Sequence, residues 1–524
     1  MDFYNCQGGY VVKISVLFKG IVLAGLFHSL LVAKTSLFNI EDFGAVPDNG
    51  IVCTKAIQSA ISQCHLKGGG TVFIPAGEFI SGTIFLEHNV NLHLAAGAVL
   101  KGSPNLDDYL DQNGRFGLIR AWGKRNISIT GQGEINGNGT IFFDPEKPHL
   151  GPDFDRQYTR QGEKYMTFEN GIQDGPIAYE ARPGMLVVLL RCEDVTIQDV
   201  TFRDSPSWTF RIGDCDGVIV HGINITNNLL IPNSDGIHCT TSRNVRISDC
   251  DIRCGDDAII VTGFGDEITV GGDDSRSDIQ YSRRAVGNKT GYAENIVVTN
   301  CTLQSRSSGI RVGYGNNSIR FCVFSNLVIY ESNRGLGIFA RDAGSIENIL
   351  FSNITIQTRL HTGHWWGNGE PIHLSAIAQN KTIPVGSIVN VRFKNIIAQG
   401  ESGMVVYGEK PDIIQDVTFD DIQLELVQGD HSQTYGGNFD LRPVADVQDA
   451  IFEHDVAGLY AQNVTGLSLS NIKITAKKST PFLSYGLECH DINRLFMKNI
   501  TGDTARFRRG EFIHLVDCAN VTRE

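Results

Sequence analysis

The segment NSDGIHCTTSRNVRISDCDIRCGDD (residues 233–257) contains one full unit of a repeat that runs through most of the chain. Its central part, NVRISDCDIRC, consists of two short runs of alternating apolar and polar residues joined by a polar turn. Alternation that includes β-branched residues is typical of strands with one buried face. The pattern returns about every 20 to 30 residues where no insertion intervenes, as in ENIVVTNCTLQSRSSG (294–309), IENILFSNITIQT (346–358) and IIQDVTFDDIQLEL (413–426).

Stacking of these units predicts the fold. A unit of two short strands cannot bury its own apolar face, so neighbouring units must cover one another. Asparagine recurs in the turns, where it tolerates left-handed backbone conformations and can form side-chain ladders between units. We therefore predict an all-β protein, a single-stranded right-handed parallel β-helix in which each unit forms one coil.

Two further kinds of segment fit such a solenoid. Residues 51–65, IVCTKAIQSAISQCH, have apolar residues at helical spacing and are predicted to form an N-terminal capping helix over the open end. Residues 142–184, 264–291 and 428–458 interrupt the repeat with polar, weakly periodic sequence. Insertions in a solenoid become loops on one face, often the binding face, so we expect these three to lie beside a cleft.

The N-terminus predicts export. Residues 20–33, GIVLAGLFHSLLVA, follow Lys13 and Lys19 and are similar to the apolar core of a secretory signal, although they are too short for a comfortable membrane span. We assign residues 1–33 as a leader and residues 34–524 as the β-helix domain. An uncleaved anchor or a mis-assigned start is the alternative. The expected location is secreted, periplasmic or at the cell envelope, and a monomer without a stable membrane span is expected.

Charge and cysteine content exclude some classes of function. The 524 residues include 45 basic and 58 acidic side chains, a net charge of −13, which argues against a nucleic-acid partner because such binding needs a basic face. The 12 cysteines include no CxxC pair, so we expect small buried packing residues rather than a zinc site. A disulfide or two is possible in an exported protein. No metal or cofactor is predicted.

Three aspartates form the candidate catalytic group. Asp235 lies in the NSDG turn, and Asp256 and Asp257 lie in a GDD turn one repeat unit later. If each unit is one coil, the two turns stack and the three carboxylates share one surface. Acid–base hydrolysis of a glycosidic bond needs such a set, with one carboxyl to protonate the leaving oxygen and another to activate water. An isolated Asp in such a turn would more often accept backbone N–H bonds, but the trio together favours catalysis.

Over about residues 38–505 the chain resembles the polygalacturonase family of glycoside hydrolases (family 28), a pectin-active β-helix group. FNIEDFGAVPDNGIVCTKAIQSAI (38–61) is similar to the usual start of this group, NSDGI (233–237) to its Asn-Thr/Ser-Asp signature, and GDD (255–257) to its Gly-Asp-Asp. The resemblance implies cleavage of O-glycosyl bonds in a pectin-type polysaccharide or oligosaccharide, with inversion in a single displacement.

The resemblance also implies roles for individual residues. Asp256 would be the general acid, and Asp235 and Asp257 would hold and deprotonate the attacking water. Three neighbouring negative charges raise the pKa of at least one member, which keeps a proton available. An inverting pair should lie about 6.5 to 9.5 Å apart to leave room for water. Asn233 would position a sugar hydroxyl or order the turn, and His238 would touch the cleft or point into the next coil.

Two of the family's motifs are altered in this chain. The Gly-His-Gly motif is expected at residues 306–308, which read Arg-Ser-Ser, and the Arg-Ile-Lys motif at residues 337–339, which read Gly-Ile-Phe. In the family these motifs grip the galacturonate carboxylate, so their absence puts plain polygalacturonan in doubt. Arg306, Arg311 and Arg341 lie nearby in the sequence and are predicted to restore positive charge, since a guanidinium binds a carboxylate in a bidentate way. Solvated turn arginines are the alternative.

A pair of tryptophans marks a second candidate binding segment, RLHTGHWWGNGEPIH (359–373). Trp365 and Trp366 are predicted to form a sugar-stacking wall, because an aromatic face can pack on the C–H surface of a pyranose ring. The alternative is that the two rings pack the loop against the wall of the solenoid.

Three other functions remain open from the sequence. Within the same class, the chain would be a rhamnogalacturonan- or other side-chain-specific hydrolase. A Ca²⁺-dependent polysaccharide lyase on the same scaffold would use carboxylates to hold the ion and a basic residue to take a proton, and the aspartate trio could supply those carboxylates. A non-catalytic carbohydrate-binding β-helix is the third alternative, and the intact trio argues against it.

Overall fold

A computed structural model describes residues 36–111, 114–149, 174–264, 291–363, 365–379, 381–432, 439–444, 451–452, 454–477, 483–507 and 510–524. The leader predicted at residues 1–33 and most of the insertion predicted at residues 264–291 lie outside the described residues.

The described residues form a parallel β-helix, as predicted, with 33 strands in one sheet. The strands of the N-terminal coils are Leu37–Asn39, Gly70–Ile74, Gly77–Ser81, Ile84–Phe85, Val90–Leu94, Ala98–Gly102, Ile119–Trp122, Arg125–Gly131 and Glu134–Asn136. Those of the central coils are Val187–Leu190, Glu193–Gln198, Thr201–Arg203, Phe210–Gly213, Asp216–His221, Asn224–Thr226, Ile237–Thr240, Arg243–Ser248, Asp251–Cys254 and Ile259–Thr262.

The later coils contain longer strands. These are Tyr292–Thr299, Thr302–Ser305, Ser308–Val312, Ser318–Ser332, Arg334–Ala340, Ile346–Thr358, Ile372–Ala376, Ile388–Gly400, Met404–Gly408, Ile414–Leu426, Leu459–Ala476, Leu487–Gly502, Ile513–Val516 and Ala519–Arg523. Three antiparallel pairs stand apart from the main sheet: Leu110–Asp111 with Gly114–Arg115, Phe143–Pro148 with Ile177–Tyr179, and Phe439–Asp440 with Ile451–Phe452. Short 3₁₀ helices are Ile40–Phe43, Leu106–Tyr109, Gly139–Phe142 and Thr504–Arg506.

Parallel register places equivalent residues of successive coils on top of one another. Ile237 pairs with Ile259, Ile259 with Ile310, and the series continues through Leu336 to Ile372. All five side chains are buried in the core. Because neighbouring strands lie about 4.8 Å apart, every side chain in such a column contacts the equivalent side chain one coil away.

Aromatic and asparagine columns stabilise the stack. Phe324, Phe351, Phe393 and Phe419 are stacked in series with ring centroids 4.9, 5.2 and 4.7 Å apart. On the surface, Asn395 donates a side-chain hydrogen bond to Asn353 at 2.8 Å, and Asn353 donates to the next asparagine in the column at 3.1 Å. Both asparagines have positive φ angles, of 52° and 56°, as expected for turn asparagines. Every cysteine in the described part of the chain is a free thiol, and all but the half-buried Cys518 are buried.

The capping helix is Thr54–Leu66, three residues later than the predicted start. Its buried residues recur at helical spacing, as predicted: Ala56, Ile57, Ala60, Ile61 and Cys64. The helix begins late because the Cys53 N–H donates to the carbonyl of Ile80 at 2.8 Å, which pairs the preceding residues with a strand. Among the helices of the described residues, none has the length and apolar character needed to cross a bilayer.

Replacing Phe393 by alanine should lower the free energy of unfolding by about 3 to 5 kcal/mol, because the coils on either side cannot close over the cavity left in the ring stack. Phe321→Ala is the matched control, since that ring is 53% exposed, and it should change the free energy by less than about 0.5 kcal/mol. Equilibrium urea denaturation followed by circular dichroism measures both values, and equal losses would contradict the ring stack as part of the core.

Candidate active site

The register of the sheet brings the two acidic turns together. Ile237 pairs with Ile259, so Asp235 lies beside Asp257 on neighbouring coils, and the Gly236 N–H donates to the carbonyl of Asp257 at 3.0 Å. One carboxylate oxygen from each of the three aspartates lies within 4.8 Å of the other two. Asp235, Asp256 and Asp257 are 3%, 6% and 2% exposed, so the trio is a buried group of like charges.

Close contact between the coils explains the residues around the aspartates. A Cβ at Gly236 would lie 2.2 Å from the carbonyl oxygen of Ala258, and a Cβ at Gly255 would lie 2.3 Å from that of Ile231. Ser234 connects the two turns, because its hydroxyl accepts the Gly255 N–H at 2.9 Å. The glycines and the serine of the two motifs therefore serve to hold the aspartates at this separation.

Asp257 has the partners of an ionised carboxylate. Its Oδ2 lies 3.0 Å from Nε of Arg311, and its Oδ1 accepts the backbone N–H of Ser308 at 2.8 Å. Asp256 Oδ1 accepts the Asp257 N–H at 2.9 Å. Opposite charge and N–H donors both favour the charged form of a carboxyl group.

Burial raises the pKa of the other two carboxyl groups, those of Asp235 and Asp256. It raises the pKa of Asp256 to about 7, the negative charge of Asp257 contributes in the same direction, and Arg311 offsets part of the rise. Burial also raises the pKa of Asp235 well above its ordinary range, followed by the charges of Asp256 and Asp257. Because the three groups interact, their protons belong to the trio rather than to single residues. Burial therefore favours the protonated form of Asp256 and Asp235, while Asp257 lies beside the guanidinium of Arg311.

The carboxylates lie close together. One oxygen of each lies within 4.8 Å of an oxygen of the other two, whereas the value of about 6.5 to 9.5 Å expected for an inverting pair is a separation between whole carboxyl groups. Asp235 and Asp257 lie on neighbouring strands about 4.8 Å apart, and Asp256 is adjacent to Asp257 in the chain.

Asn233 and His238 lie on either side of Asp235. Asn233 has a φ of 55°, and its side-chain oxygen accepts a hydrogen bond from Arg182 at 2.9 Å, so it orders the turn in this structure. His238 is fully buried, with its Nε2 3.1 Å from the hydroxyl of Thr262 and its ring 3.9 Å from that of Trp208. Burial lowers the pKa of His238 well below its ordinary value, so the imidazole is neutral.

Arg306 and Arg341 are buried and Arg311 is partly buried, with 14% of its side chain exposed, so none of the three predicted arginines is a solvated turn residue. Only Arg311 contacts the trio. Arg306 lies 3.2 Å from Nδ1 of His361. Arg341 donates to the backbone carbonyls of Ser375 and Leu441 at 3.0 and 2.9 Å, and burial lowers its pKa to about 9.

The two tryptophans lie in a loop that packs on the solenoid. Trp365 is 4% exposed, and its indole N–H donates to the carbonyl of Asp174 at 2.8 Å, which favours the packing alternative for this ring. Trp366 is half-buried, with the guanidinium of Arg442 5.1 Å from its ring centroid. His364, in the same loop, lies outside the described residues.

Arg182 is a site residue that the sequence analysis missed. It is 2% exposed and donates to the carbonyls of Pro206 and Pro232 at 2.8 and 2.6 Å, in addition to Asn233. Its guanidinium lies 4.2 Å from the ring centroid of Tyr179. Arg182 holds the turn that carries Asp235, but it belongs to an interruption of the repeat, where no pattern related it to that turn.

Comparison with known sequences agrees with this geometry. Residues 64–438 match the glycosyl hydrolases family 28. The chain belongs to this family. It is 28% identical over 267 residues to a probable polygalacturonase of Vitis vinifera, which covers 48% of this chain and 49% of that protein. It is 29% identical over 266 residues to an exo-poly-α-D-galacturonosidase of Dickeya chrysanthemi, with 45% and 43% covered. The chain thus spans about half the length of these curated relatives.

Solved structures share the fold of this family 28 member. The family 28 exopolygalacturonase of Yersinia enterocolitica has a TM-score of 0.59 at 20% identity and covers 93% of this chain and 78% of its own. A hyperthermoactive exopolygalacturonase of Thermotoga maritima has a TM-score of 0.53 at 20% identity, with 75% and 87% covered. The predicted β-helix fold and the family resemblance are both confirmed.

Asp256→Asn should stabilise the protein at neutral pH. The pKa of Asp256 is raised to about 7 in the folded state, so the folded protein binds more protons than the unfolded chain between the ordinary Asp range and that value. Stability contributed by this group is therefore lost as pH rises through that window. Asparagine carries no charge, so the Tm of the variant should exceed that of the wild type by roughly 1 to 3 °C at about pH 8.

The Tm difference should narrow as the pH is lowered from about 8 toward about 4, because Asp256 is then protonated in the folded state and no longer places a charge in the buried site. Asp421→Asn, at an exposed position of the strand Ile414–Leu426, is the control and should show no such pH dependence. Differential scanning calorimetry over this pH range measures both variants, and a pH-independent difference for Asp256→Asn would argue against burial as the cause of the raised pKa.

Proposed function

We propose that this protein hydrolyses galacturonic-acid-containing, pectin-type polysaccharides, as a polygalacturonase does. The observation that carries the proposal is the buried trio, in which Asp257 is paired with Arg311 at 3.0 Å while burial raises the pKa of Asp256 to about 7. Glycoside hydrolysis requires a protonated carboxyl group next to an ionised carboxylate. Membership of family 28 and the names of the sequence relatives support the substrate class.

In the proposed mechanism Asp256 donates its proton to the leaving glycosidic oxygen. Asp257, which is paired with Arg311 at 3.0 Å, accepts a proton from the attacking water. Burial also raises the pKa of Asp235, which favours its protonated form, and a protonated carboxyl group cannot accept a proton from water. We therefore propose that Asp235 orients the attacking water. The leaving group departs as an alcohol, and the water oxygen becomes the new hydroxyl at the anomeric carbon.

We further propose a single displacement with inversion. Support comes from the number of carboxyl groups, because two of them can hold a water molecule while the third protonates the leaving oxygen. The anomeric configuration of the first product is the direct test. A retained configuration would mean that one carboxylate attacks the sugar as a nucleophile.

The same trio has the donor set for a divalent cation, which is the observation in favour of a Ca²⁺-dependent lyase. Arg311 already supplies a positive charge 3.0 Å from Asp257, which reduces the need for a cation there. The two reactions have different products, since a lyase leaves an unsaturated uronate that absorbs in the ultraviolet and a hydrolase does not.

Purified protein should release new reducing ends from polygalacturonate, with or without EDTA and without ultraviolet absorption. Asp256→Asn should lower kcat by on the order of 10²- to 10⁴-fold, because general acid catalysis is lost. Reducing-sugar assays, chromatography of the products and ¹H NMR of the first anomer measure the outcome. Loss of activity in EDTA together with an unsaturated product would identify the lyase. An Asp256→Asn variant as active as the wild type would overturn the assignment of the acid.

The pH profile should fall on its alkaline side near pH 7, where Asp256 loses its proton. Arg311 lowers the pKa of both Asp235 and Asp256, so Arg311→Gln should raise both and move the alkaline limb to higher pH. Arg246→Gln, an exposed charge on the same coil as Asp235, is the control and should leave the profile in place. The measurement is kcat/KM against pH, and an alkaline limb that stays fixed in Arg311→Gln would exclude this electrostatic coupling.

A further inference from the structure

The column of residues that carries the aspartates continues beyond them. Ser308 donates its backbone N–H to Asp257, and Arg334 pairs in register with Ser308 one coil later. Glu370 lies on the following coil, since the Gly335 N–H donates to its carbonyl at 3.0 Å. At about 4.8 Å per coil, Arg334 is two coils, or roughly 10 Å, from Asp257 along the same column.

Arg334 makes few of the bonds that a buried guanidinium needs. It is 2% exposed and has five N–H donors. Within the described residues its hydrogen bond is a long one, 3.4 Å from Nη2 to the carbonyl of Asp440, and its Nε has no hydrogen-bond partner. The nearest carboxylate oxygens, on Glu370 and Asp440, lie 3.7 and 3.8 Å away, beyond hydrogen-bond distance. The buried guanidinium therefore has two ion pairs, with Glu370 and Asp440, but no short hydrogen bond among the described residues.

Asp440 is bound to a different arginine. It accepts from Nε and Nη2 of Arg442 at 2.8 and 3.0 Å, and its Oδ2 also accepts the Gly367 N–H at 2.7 Å. Burial would raise the pKa of Asp440, but Arg442 outweighs it and holds the pKa well below the ordinary range. Asp440 is thus ionised and satisfied without Arg334.

Glu370 and His373 form a second pair beside Arg334. Glu370 accepts the Asn368 N–H at 2.6 Å and lies 3.3 Å from Nδ1 of His373. Burial lowers the pKa of His373 to about 4, so the imidazole is neutral; with its Nδ1–H donated to Glu370, its Nε2 is an acceptor. That Nε2 is buried and has no partner among the described residues, and only a donor such as a hydroxyl would complete it.

The charges around Arg334 balance. A second guanidinium, that of Arg341, lies 5.0 Å from the ring of Phe339, and that of Arg334 lies 4.9 Å from the same ring. The hydrogen bonds of Arg341 go to carbonyl and hydroxyl oxygens. With Arg442, the guanidinium groups of this cluster match the carboxylates of Glu370, Asp440 and Asp342 in number. Within the described part of the chain, the cluster therefore lacks hydrogen-bond acceptors for Arg334 and does not lack negative charge.

We propose that Arg334 and His373 form a subsite for one acidic sugar unit of the substrate, in which Arg334 binds the carboxylate and His373 Nε2 accepts a sugar hydroxyl. The proposal rests on the proposed function and names the part of the site that selects a uronic acid. It assigns that selection to an arginine other than the three predicted from the sequence. Of those three, Arg311 is paired with Asp257 at 3.0 Å and Arg341 donates to backbone carbonyls at 3.0 and 2.9 Å.

The depth of the subsite matches that of the catalytic group. Arg334 is 2% exposed, and the three aspartates are between 2% and 6% exposed. Arg334 and the three aspartates are thus buried to a similar extent in one column. A saccharide that gains access to the aspartates would therefore come within reach of Arg334.

The test compares tri-galacturonate with its fully methyl-esterified form, which has lost the negative charges. The wild type should have a lower KM for the acid than for the ester. In Arg334→Gln the KM for the acid should rise by about 10- to 100-fold, which is the loss of a charged hydrogen bond, while the KM for the ester changes little. The preference for the acid should therefore disappear, and kcat should stay within a few-fold because the trio is intact.

Two further variants separate binding from structure. Arg334→Lys keeps the positive charge without the planar fork and should retain part of the preference for the acid; it also serves if Arg334→Gln does not fold, as judged by Tm. Arg442→Gln removes a guanidinium from the same buried cluster and should lower Tm while the ratio of the two KM values stays that of the wild type.

The outcomes distinguish this subsite from the proposed function. If the wild type is active and Arg334→Gln keeps the full preference for the acid over the ester, the subsite is overturned and the hydrolase assignment stays in place. The same holds if Arg334→Lys keeps the full preference. A folded wild type that cleaves neither polygalacturonate nor the tri-galacturonates overturns both. A fall in kcat and Tm with an unchanged KM ratio assigns Arg334 a structural role only and also overturns the subsite.

Discussion

Parallel register at about 4.8 Å per coil is the constraint on which the rest of this structure depends. It places each residue over the equivalent residue of the next coil, and the apolar columns that result form one continuous core. The same spacing brings Asp235 next to Asp257, and Asp256 is adjacent to Asp257 in the chain, so the three carboxylates form one group. Packing and catalytic geometry therefore have a common cause.

Three buried carboxyl groups in one place destabilise a fold unless the charge is offset. Here Arg311 and the Ser308 N–H stabilise Asp257, while burial keeps a proton on the neighbouring carboxyl groups. The proton needed for acid catalysis is thus a direct consequence of the buried position. Such sites commonly trade stability for function, because a neutral side chain would fit the same position at lower energetic cost.

Charged residues also fasten the loops beside the site to the sheet. Asp174 accepts bonds from the Thr362 N–H at 2.9 Å, from Arg359 at 3.0 Å and from His361 at 2.8 Å. Burial would raise the pKa of Asp174, but these hydrogen bonds, that of His361 first, outweigh it and lower the pKa. Asp440 has the corresponding role for the loop that contains Trp366, through the Gly367 N–H. In both loops the carboxylate is satisfied by several donors, whereas the guanidinium of Arg334 is not.

The sequence by itself determined the repeat, the β-helix, the capping helix and the aspartate trio, because alternation, turn residues and two short motifs are local patterns. The start of the capping helix was placed three residues early, since the pairing of Cys53 with a strand is a long-range contact.

Only the tertiary structure decided which arginine contacts which polar side chain of the site. Arg311 reaches Asp257 across 54 positions of chain and Arg182 reaches Asn233 across 51, and the number of residues in a coil varies too much for periodicity to predict either contact. The pKa of Asp256 likewise depends on burial, which is a property of the assembled coils and not of the residues in the motif.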